Sequence, residues 1–177
     1  MMEKNSHATP LVGIIMGSDS DFKVMQEALE VFEDFEVPYE FRVLSAHRTP
    51  HLASAYGRDA AARGIKIIVA GAGWAAHLAG VLAGETTLPV IGVPIDSSPL
   101  QGLDALLSTV QMPPGVPVAT MSIGKGGARN AALFAIQILA LGDPVLAEKV
   151  SRHRARMVEG VVEKDRNLKE KWSSRER

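Results

Sequence analysis

The sequence has no cysteine. Disulfides, thiolate metal sites and a cysteine nucleophile are thereby excluded together. It also lacks a dominant charge, since 19 Lys+Arg stand against 20 Asp+Glu, for a formal net charge of -1 and a pI near 6.5. A dedicated nucleic-acid or membrane-surface binder needs a concentrated basic field, so a small polar substrate is expected instead. The opening stretch, residues 1–10, has no signal-peptide core and reads as a flexible N-terminus, which makes the cytoplasm the expected compartment. Ile65 to Gly84 is about as long and apolar as a membrane span, yet Lys66 and His77 lie inside it and glycines punctuate it. It reads as a buried strand leading into a loop, with no membrane partner. His7, His51 and His153 show no metal-ligand spacing with carboxylates, and no metal is expected. A Gly-x-Ser-x-Gly elbow, a paired-carboxylate arrangement, internal repeats and low-complexity tracts are missing too.

What is present suffices for one domain with a sizeable core: 177 residues, 46% of them hydrophobic. Short apolar runs begin near Leu11, Tyr39, Lys66, Pro89 and Val116, each followed by a Gly/Ser/Pro loop and a helical or Ala-rich segment. Such βα alternation calls for a parallel sheet covered by helices on both faces. Leu11–Met16, Lys66–Ala70 and Pro89–Val93 are almost continuously apolar and belong in the interior of the sheet. Tyr39–Leu44 alternates with charge and Val116–Thr120 carries a proline, so both suit edges. The order 2-1-3-4-5 follows, with the ligand crevice at the carboxyl ends of strands 1 and 3.

Phe22, Met25, Leu29 and Phe32 mark an amphipathic helix over Ser20–Phe35, capped by Ser18, Asp19 or Ser20. Gly127–Leu141 is apolar nearly all round, which predicts a buried helix. Residues 11–142 therefore read as a single α/β catalytic domain and 143–177 as a C-terminal helix and tail. In that helix Leu146, Val150, Met157, Val161, Leu168 and Trp172 form a stripe repeating every eleven residues, expected to pack on another subunit. From Val145 onward there are 10 Lys+Arg against 6 Asp+Glu, a mixture that fits a solvated face better than a nucleic-acid arm.

Three constellations can carry chemistry. In Met16-Gly17-Ser18-Asp19-Ser20-Asp21, hydroxyls and amides at a helix N-terminus favour a phosphate, and an aspartate there can accept hydrogen bonds from ribose hydroxyls; plain N-capping would need the same residues. In Ser45-Ala46-His47-Arg48-Thr49-Pro50, a histidine able to exchange protons near neutrality adjoins an arginine able to grip phosphate, with Thr49 as cap and Pro50 in the first helical position. In Gly71-Ala72-Gly73-Trp74-Ala75-Ala76-His77-Leu78, the first six residues fit the G-x-G-x-x-A dinucleotide fingerprint, with Asp96 about 20 residues beyond. A non-catalytic dinucleotide- or flavin-binding module is thus the rival reading. Against it stand the motif's place in the third βα unit, the bulk of Trp74 and the absence of a second domain. Gly124-Lys125-Gly126-Gly127 lacks the Ser/Thr and upstream glycine of a P-loop, and the proline-rich turn Gln111–Pro117 reads as a rigid rim.

Met-Gly-Ser-x-Ser-Asp at 16–21, Ser-Ala-His-Arg-Thr-Pro at 45–50, Ala-Gly-Ala-Gly-x-Ala-Ala-His-Leu at 70–78, Leu-Pro-Val-Ile-Gly-Val-Pro at 88–94 and Val-Gln-Met-Pro at 110–113 together resemble the PurE family of N5-carboxyaminoimidazole ribonucleotide mutases, in family order. The resemblance runs from about Leu11 to Leu141. It implies a flavodoxin-like three-layer α/β/α sandwich, a homo-octamer without cofactor, and a ribonucleotide substrate whose carboxyl group moves through bound CO2. It also implies that Ser18, Asp21 and Arg48 bind the ribonucleotide with Ser20, Ser45, Ala46, Gly71, Ala72, Gly73 and Leu78 nearby, that His47 is the general acid/base, and that His77 belongs to the site. The Arg in Ser-Ala-His-Arg-Thr and the Ala-Ala-His-Leu stretch look like the mutase branch; the alternative branch carboxylates aminoimidazole ribonucleotide directly with CO2. Two positions depart from the more familiar pattern, which has Gly where Trp74 stands and Pro where Ala79 stands.

Overall fold

A computed structural model describes residues 9–173. Five parallel strands form one sheet in the order β2-β1-β3-β4-β5: β1 Val12–Met16, β2 Tyr39–Val43, β3 Ile67–Gly73, β4 Val90–Ile95 and β5 Ala119–Thr120. The order and the parallel sense are those expected. Every residue of β1 and β4 is buried, whereas β2 exposes Phe41, Arg42 and Val43 at its edge. β5 is two residues long, where the apolar run suggested five. Pro117 has no N–H to contribute to a ladder, so pairing starts only after it.

The helices of the sheet unit are α1 Phe22–Phe35, α2 Pro50–Ala60, α3 Leu78–Glu85, α4 Leu103–Val110 and α5 Lys125–Ala140, a short 3₁₀ turn at Asp19–Asp21 preceding α1. Right-handed crossovers put α2, α3 and α4 on one face and α1 and α5 on the other. On the first face Ala53, Tyr56 and Ala60 of α2 and Leu78, Ala79 and Leu82 of α3 close over Ile15, Ile68, Ala70 and Val90. On the second, Met25 of α1 packs so tightly on Gly71 that a Cβ there would collide with its Sδ. Each of these large side chains, removed from water, contributes about 1.5–3 kcal/mol.

Two expectations need correction. β3 runs on through Gly71, Ala72 and Gly73, which pair with Val93, Pro94 and Ile95 of β4, so these glycines are strand and not loop. They suit that place because Met25 and the Ser97 hydroxyl press on the two glycine Cα atoms. Helix α5 is buried on one side only. Gly127, Ala128, Ala131, Ala132, Ala135 and Ile136 face inward, while Lys125, Arg129, Asn130 and Phe134 are exposed. The inner face is built mostly of small residues, and their uniform apolarity masked the amphipathic pattern.

The chain divides into two units, one ending at Ile136 and the other beginning at Gln137. The second contains α6, Pro144–Ser173, a helix of 30 residues in which Met157, Val158, Val161, Val162, Leu168 and Trp172 are exposed. Asp143 caps it, accepting hydrogen bonds from the N–H groups of Val145 and Leu146 at 2.9 and 3.1 Å. No helix among the described residues is long and apolar enough to cross a membrane. Residues 1–8, most of the segment expected to be flexible, and residues 174–177 of the tail lie outside the described part.

Candidate active site

Strand register decides which loops meet. Met16 pairs with Val43 on one side and with Gly71 on the other, so the chain leaves β1, β2 and β3 at neighbouring points along one sheet edge. Two backbone bonds lock the exits: Leu44 N–H donates to the Met16 carbonyl at 2.8 Å, and Gly17 N–H to that of Gly71 at 3.1 Å. The cavity they frame has a volume of about 640 Å³, in the range of small-molecule sites. It is lined by the turn after β1 (Gly17, Ser18, Ser20, Asp21), the loop after β2 (Ser45, Ala46, His47, Arg48), the loop after β3 (Ala72, Gly73, Trp74, Ala76, His77, Leu78) and Ser97 after β4.

The first turn is a capping box. Ser20 N–H donates to Ser18 Oγ at 3.4 Å, and the Ser18 N–H donates to Asp21 Oδ2 at 2.9 Å. Capping and ligand binding are therefore not exclusive here, because the Ser18 and Ser20 hydroxyls, 3.1 Å apart, also line the cavity. Asp21 is 4% exposed, and burial raises its carboxyl above its ordinary value, against the opposing pull of the Ser18 and Gly17 amides and of Arg48.

The second loop is stiffened by its own side chains. The Thr49 hydroxyl accepts from Ser45 N–H at 2.9 Å and donates to the Ser45 carbonyl at 3.1 Å. Thr49 does hold the N-cap position of α2, ahead of Pro50, but its hydroxyl makes no capping bond to the helix because this loop has claimed it. Arg48 is held from two directions, Nη2 donating to the Gly17 carbonyl at 2.8 Å and Nε to Ser45 Oγ at 3.4 Å. Its guanidinium thus spans the exits of β1 and β2, with donors still free for a ligand.

His47 and His77, thirty positions apart, meet with Nε2 of the first 2.8 Å from Nδ1 of the second. The rings stand edge to face, their centroids 4.9 Å apart and their planes at 74°. At that distance one nitrogen carries the hydrogen and the other accepts it, so the pair holds a single proton between two exposed rings. His77 takes the N-cap position of α3 without a side-chain capping bond. Among the described residues, no group of three or more His, Asp or Glu side chains converges as a metal site would require.

The AIR carboxylase family model matches residues 11–160. The chain belongs to that family. It is 61% identical over 148 residues to the N5-carboxyaminoimidazole ribonucleotide mutase of Pyrococcus abyssi, covering 84% of each chain. With the mutase of Bacillus subtilis it shares 55% identity over 159 residues, 90% of this chain and 98% of that one. The crystal structure of Treponema denticola PurE superposes with a TM-score of 0.81 at 29% identity, over 90% of this chain and 98% of that chain.

Against this family background, of the twelve site residues the sequence suggested, eleven line the cavity: Ser18, Ser20, Asp21, Ser45, Ala46, His47, Arg48, Ala72, Gly73, His77 and Leu78. Gly71 does not. It is buried, and its carbonyl serves the Gly17 turn instead. The dinucleotide fingerprint also loses its physical basis, since it needs a tight glycine turn straight into a helix N-terminus. Here Gly71 and Gly73 are paired strand, and α3 starts only at Leu78. Gly17, Trp74, Ala76 and Ser97 line the cavity but were not among the suggested residues. Ser97 comes from the first turn after β4, where the rule that ligands bind at the carboxyl ends of strands points, but no motif marks it.

Proposed function

We propose that this chain interconverts N5-carboxyaminoimidazole ribonucleotide and 4-carboxyaminoimidazole ribonucleotide in purine biosynthesis, with His47 as the general acid/base. The observation that carries the reading is the His47–His77 pair in the wall of a cavity that also presents Arg48, Ser18 and Ser20. The names of the relatives at 52–61% identity support the same activity. Arg48 and the serine hydroxyls at the start of the first helix hold the phosphate, and Asp21 lies beside the ribose.

Held in this way, the ring keeps its reacting atoms in place while the carboxyl group departs from the exocyclic nitrogen as CO2. His47 supplies that nitrogen with a proton as the C–N bond breaks. The CO2 stays in the cavity, the electron-rich ring carbon C4 attacks it to form the new C–C bond, and His47 removes the proton from C4, restoring aromaticity. Carbon, protons and charge balance over the cycle without a co-reactant. His77, bonded to His47, orients its ring and fixes which nitrogen bears the hydrogen.

Following conversion of the N-carboxylated ribonucleotide with and without added bicarbonate tests the activity. Conversion indifferent to bicarbonate is expected; product formed only from aminoimidazole ribonucleotide plus bicarbonate would replace the mutase with a direct carboxylase. His47→Asn should bind ribonucleotide yet turn over about 10²- to 10⁴-fold more slowly, and near-normal turnover would remove His47 from its role. The exposed stripe on α6 supports assembly into a homo-octamer through that helix. Light scattering should give the octamer's mass, and charged substitutions at Met157 and Val161 should lower it.

A further inference from the structure

Trp74 is the largest side chain lining the cavity, and the proposed reaction gives it no part. Its backbone is left-handed, with φ at 55°, a conformation disfavoured for any residue carrying a Cβ and comfortable for glycine. The residue is 60% exposed, so its side chain gains little from packing within the chain. Local structure and burial therefore both favour a small residue here, and the tryptophan needs another reason. It lines the cavity, three residues before His77 on the same loop, with Ala76 N–H bonded to the Gly73 carbonyl across that turn at 3.1 Å. The groups suited to phosphate, Ser18, Ser20 and Arg48, come from two other loops.

We propose that Trp74 is a positioning residue whose indole stacks on the planar imidazole ring of the bound ribonucleotide and keeps that ring within reach of the His47–His77 pair. The proposal rests on the ribonucleotide reading above and adds the group that recognises the ring as distinct from the sugar phosphate. An indole is the largest π-face a side chain can offer and has only two torsions to fix, so ordering it against a flat heterocycle is inexpensive. Covering it with ligand also removes its apolar surface from water. The left-handed backbone is then a strain retained at a site because ligand binding uses it.

The test compares a ligand that has the ring with one that lacks it. Trp172→Phe leaves Trp74 as the only tryptophan, since the sequence contains two. In that background, aminoimidazole ribonucleotide should quench and shift the tryptophan emission on binding, and ribose 5-phosphate should bind with little change. Trp74→Gly should weaken aminoimidazole ribonucleotide by about 5- to 150-fold, the range of one aromatic–base stack, and leave ribose 5-phosphate within about twofold. Trp74→Phe should restore most of the loss. Glycine is unstrained at this φ, so the fold should survive the substitution, which thermal unfolding checks. Equal weakening of both ligands, or of neither, would overturn the proposal, as would a smaller assembly with unchanged ring selectivity, which would assign Trp74 to a contact between copies. Wild-type protein that binds neither compound would instead sink the ribonucleotide reading itself.

Discussion

Replacing His77 by phenylalanine separates two roles that the histidine pair could divide. A phenyl ring fills nearly the same space and preserves the edge-to-face contact at 4.9 Å, so what is removed is one hydrogen bond of 2.8 Å to His47 Nε2. Both rings are exposed, so no buried polar atom is left stranded and the penalty is the net worth of the bond, about 0.5–1.5 kcal/mol. If His77 only orients His47, this loss appears in the barrier. At 1.36 kcal/mol per tenfold, kcat should fall about 2- to 13-fold with KM nearly unchanged. His47→Asn removes the proton carrier and should cost about 10²- to 10⁴-fold. Steady-state and single-turnover conversion of the N-carboxylated ribonucleotide, for both variants at saturating substrate, measures the hierarchy. A fall in His77→Phe as deep as that in His47→Asn would refute the reasoning, because His77 would then itself transfer the proton.

Arg48→Lys should raise KM about tenfold or more while kcat changes less, since a lysine cannot reach the Gly17 carbonyl and Ser45 Oγ together and still offer a fork to phosphate; an unchanged KM argues against the phosphate contact. Glu27 accepts from Lys125 Nζ at 3.0 Å and Arg129 Nη1 at 3.1 Å, and the Lys125 hydrogen bond, followed by attraction to both cations, holds its carboxyl below the ordinary value of 4.5. Because the folded-state value is depressed, this stabilisation is present above the ordinary value and fades as pH falls through the depressed one. Glu27→Gln should therefore melt lower than wild type at neutral pH and converge with it once the pH has fallen through the depressed value; a pH-independent gap in Tm would contradict the ion pair. Gly73→Ala drives a methyl into Ser97 Oγ and places it 3.1 Å from the Ile95 carbonyl, an overpacking worth about 1–3 kcal/mol, whereas Gly126→Ala meets nothing within 4 Å. Urea unfolding should show a loss for the first and none for the second; equal effects would mean that the end of β3 yields more easily than its packing indicates.

The alternation of apolar runs with helical segments was enough to give five parallel strands, and Arg42 and Pro117 were enough to mark the two edges, because burial on one face or two writes itself into the pattern of each strand. The serines and aspartates of the first turn and the His47-Arg48 pair were also readable, since those chemistries need those residue types close together in the chain. The end of β3 was not. Gly71 and Gly73 look like a loop in any local window, and become strand only because Val93 and Ile95 arrive alongside to pair with them. Nor does local sequence reveal that Thr49 spends its hydroxyl on Ser45 in place of the helix it precedes.

By itself, then, the sequence determined the class of fold, the sheet order and, through its family motifs, the residues proposed to carry the chemistry. Tertiary structure alone decided which of them meet. His47 and His77 come from loops after different strands, and they approach because β1 pairs with both β2 and β3 in a register that ends β1 and β2 level with Gly71, two residues before the end of β3. Side-chain patterning constrains which face of a strand is buried, but two histidines thirty residues apart reach 2.8 Å only through the hydrogen-bonded alignment of three strands.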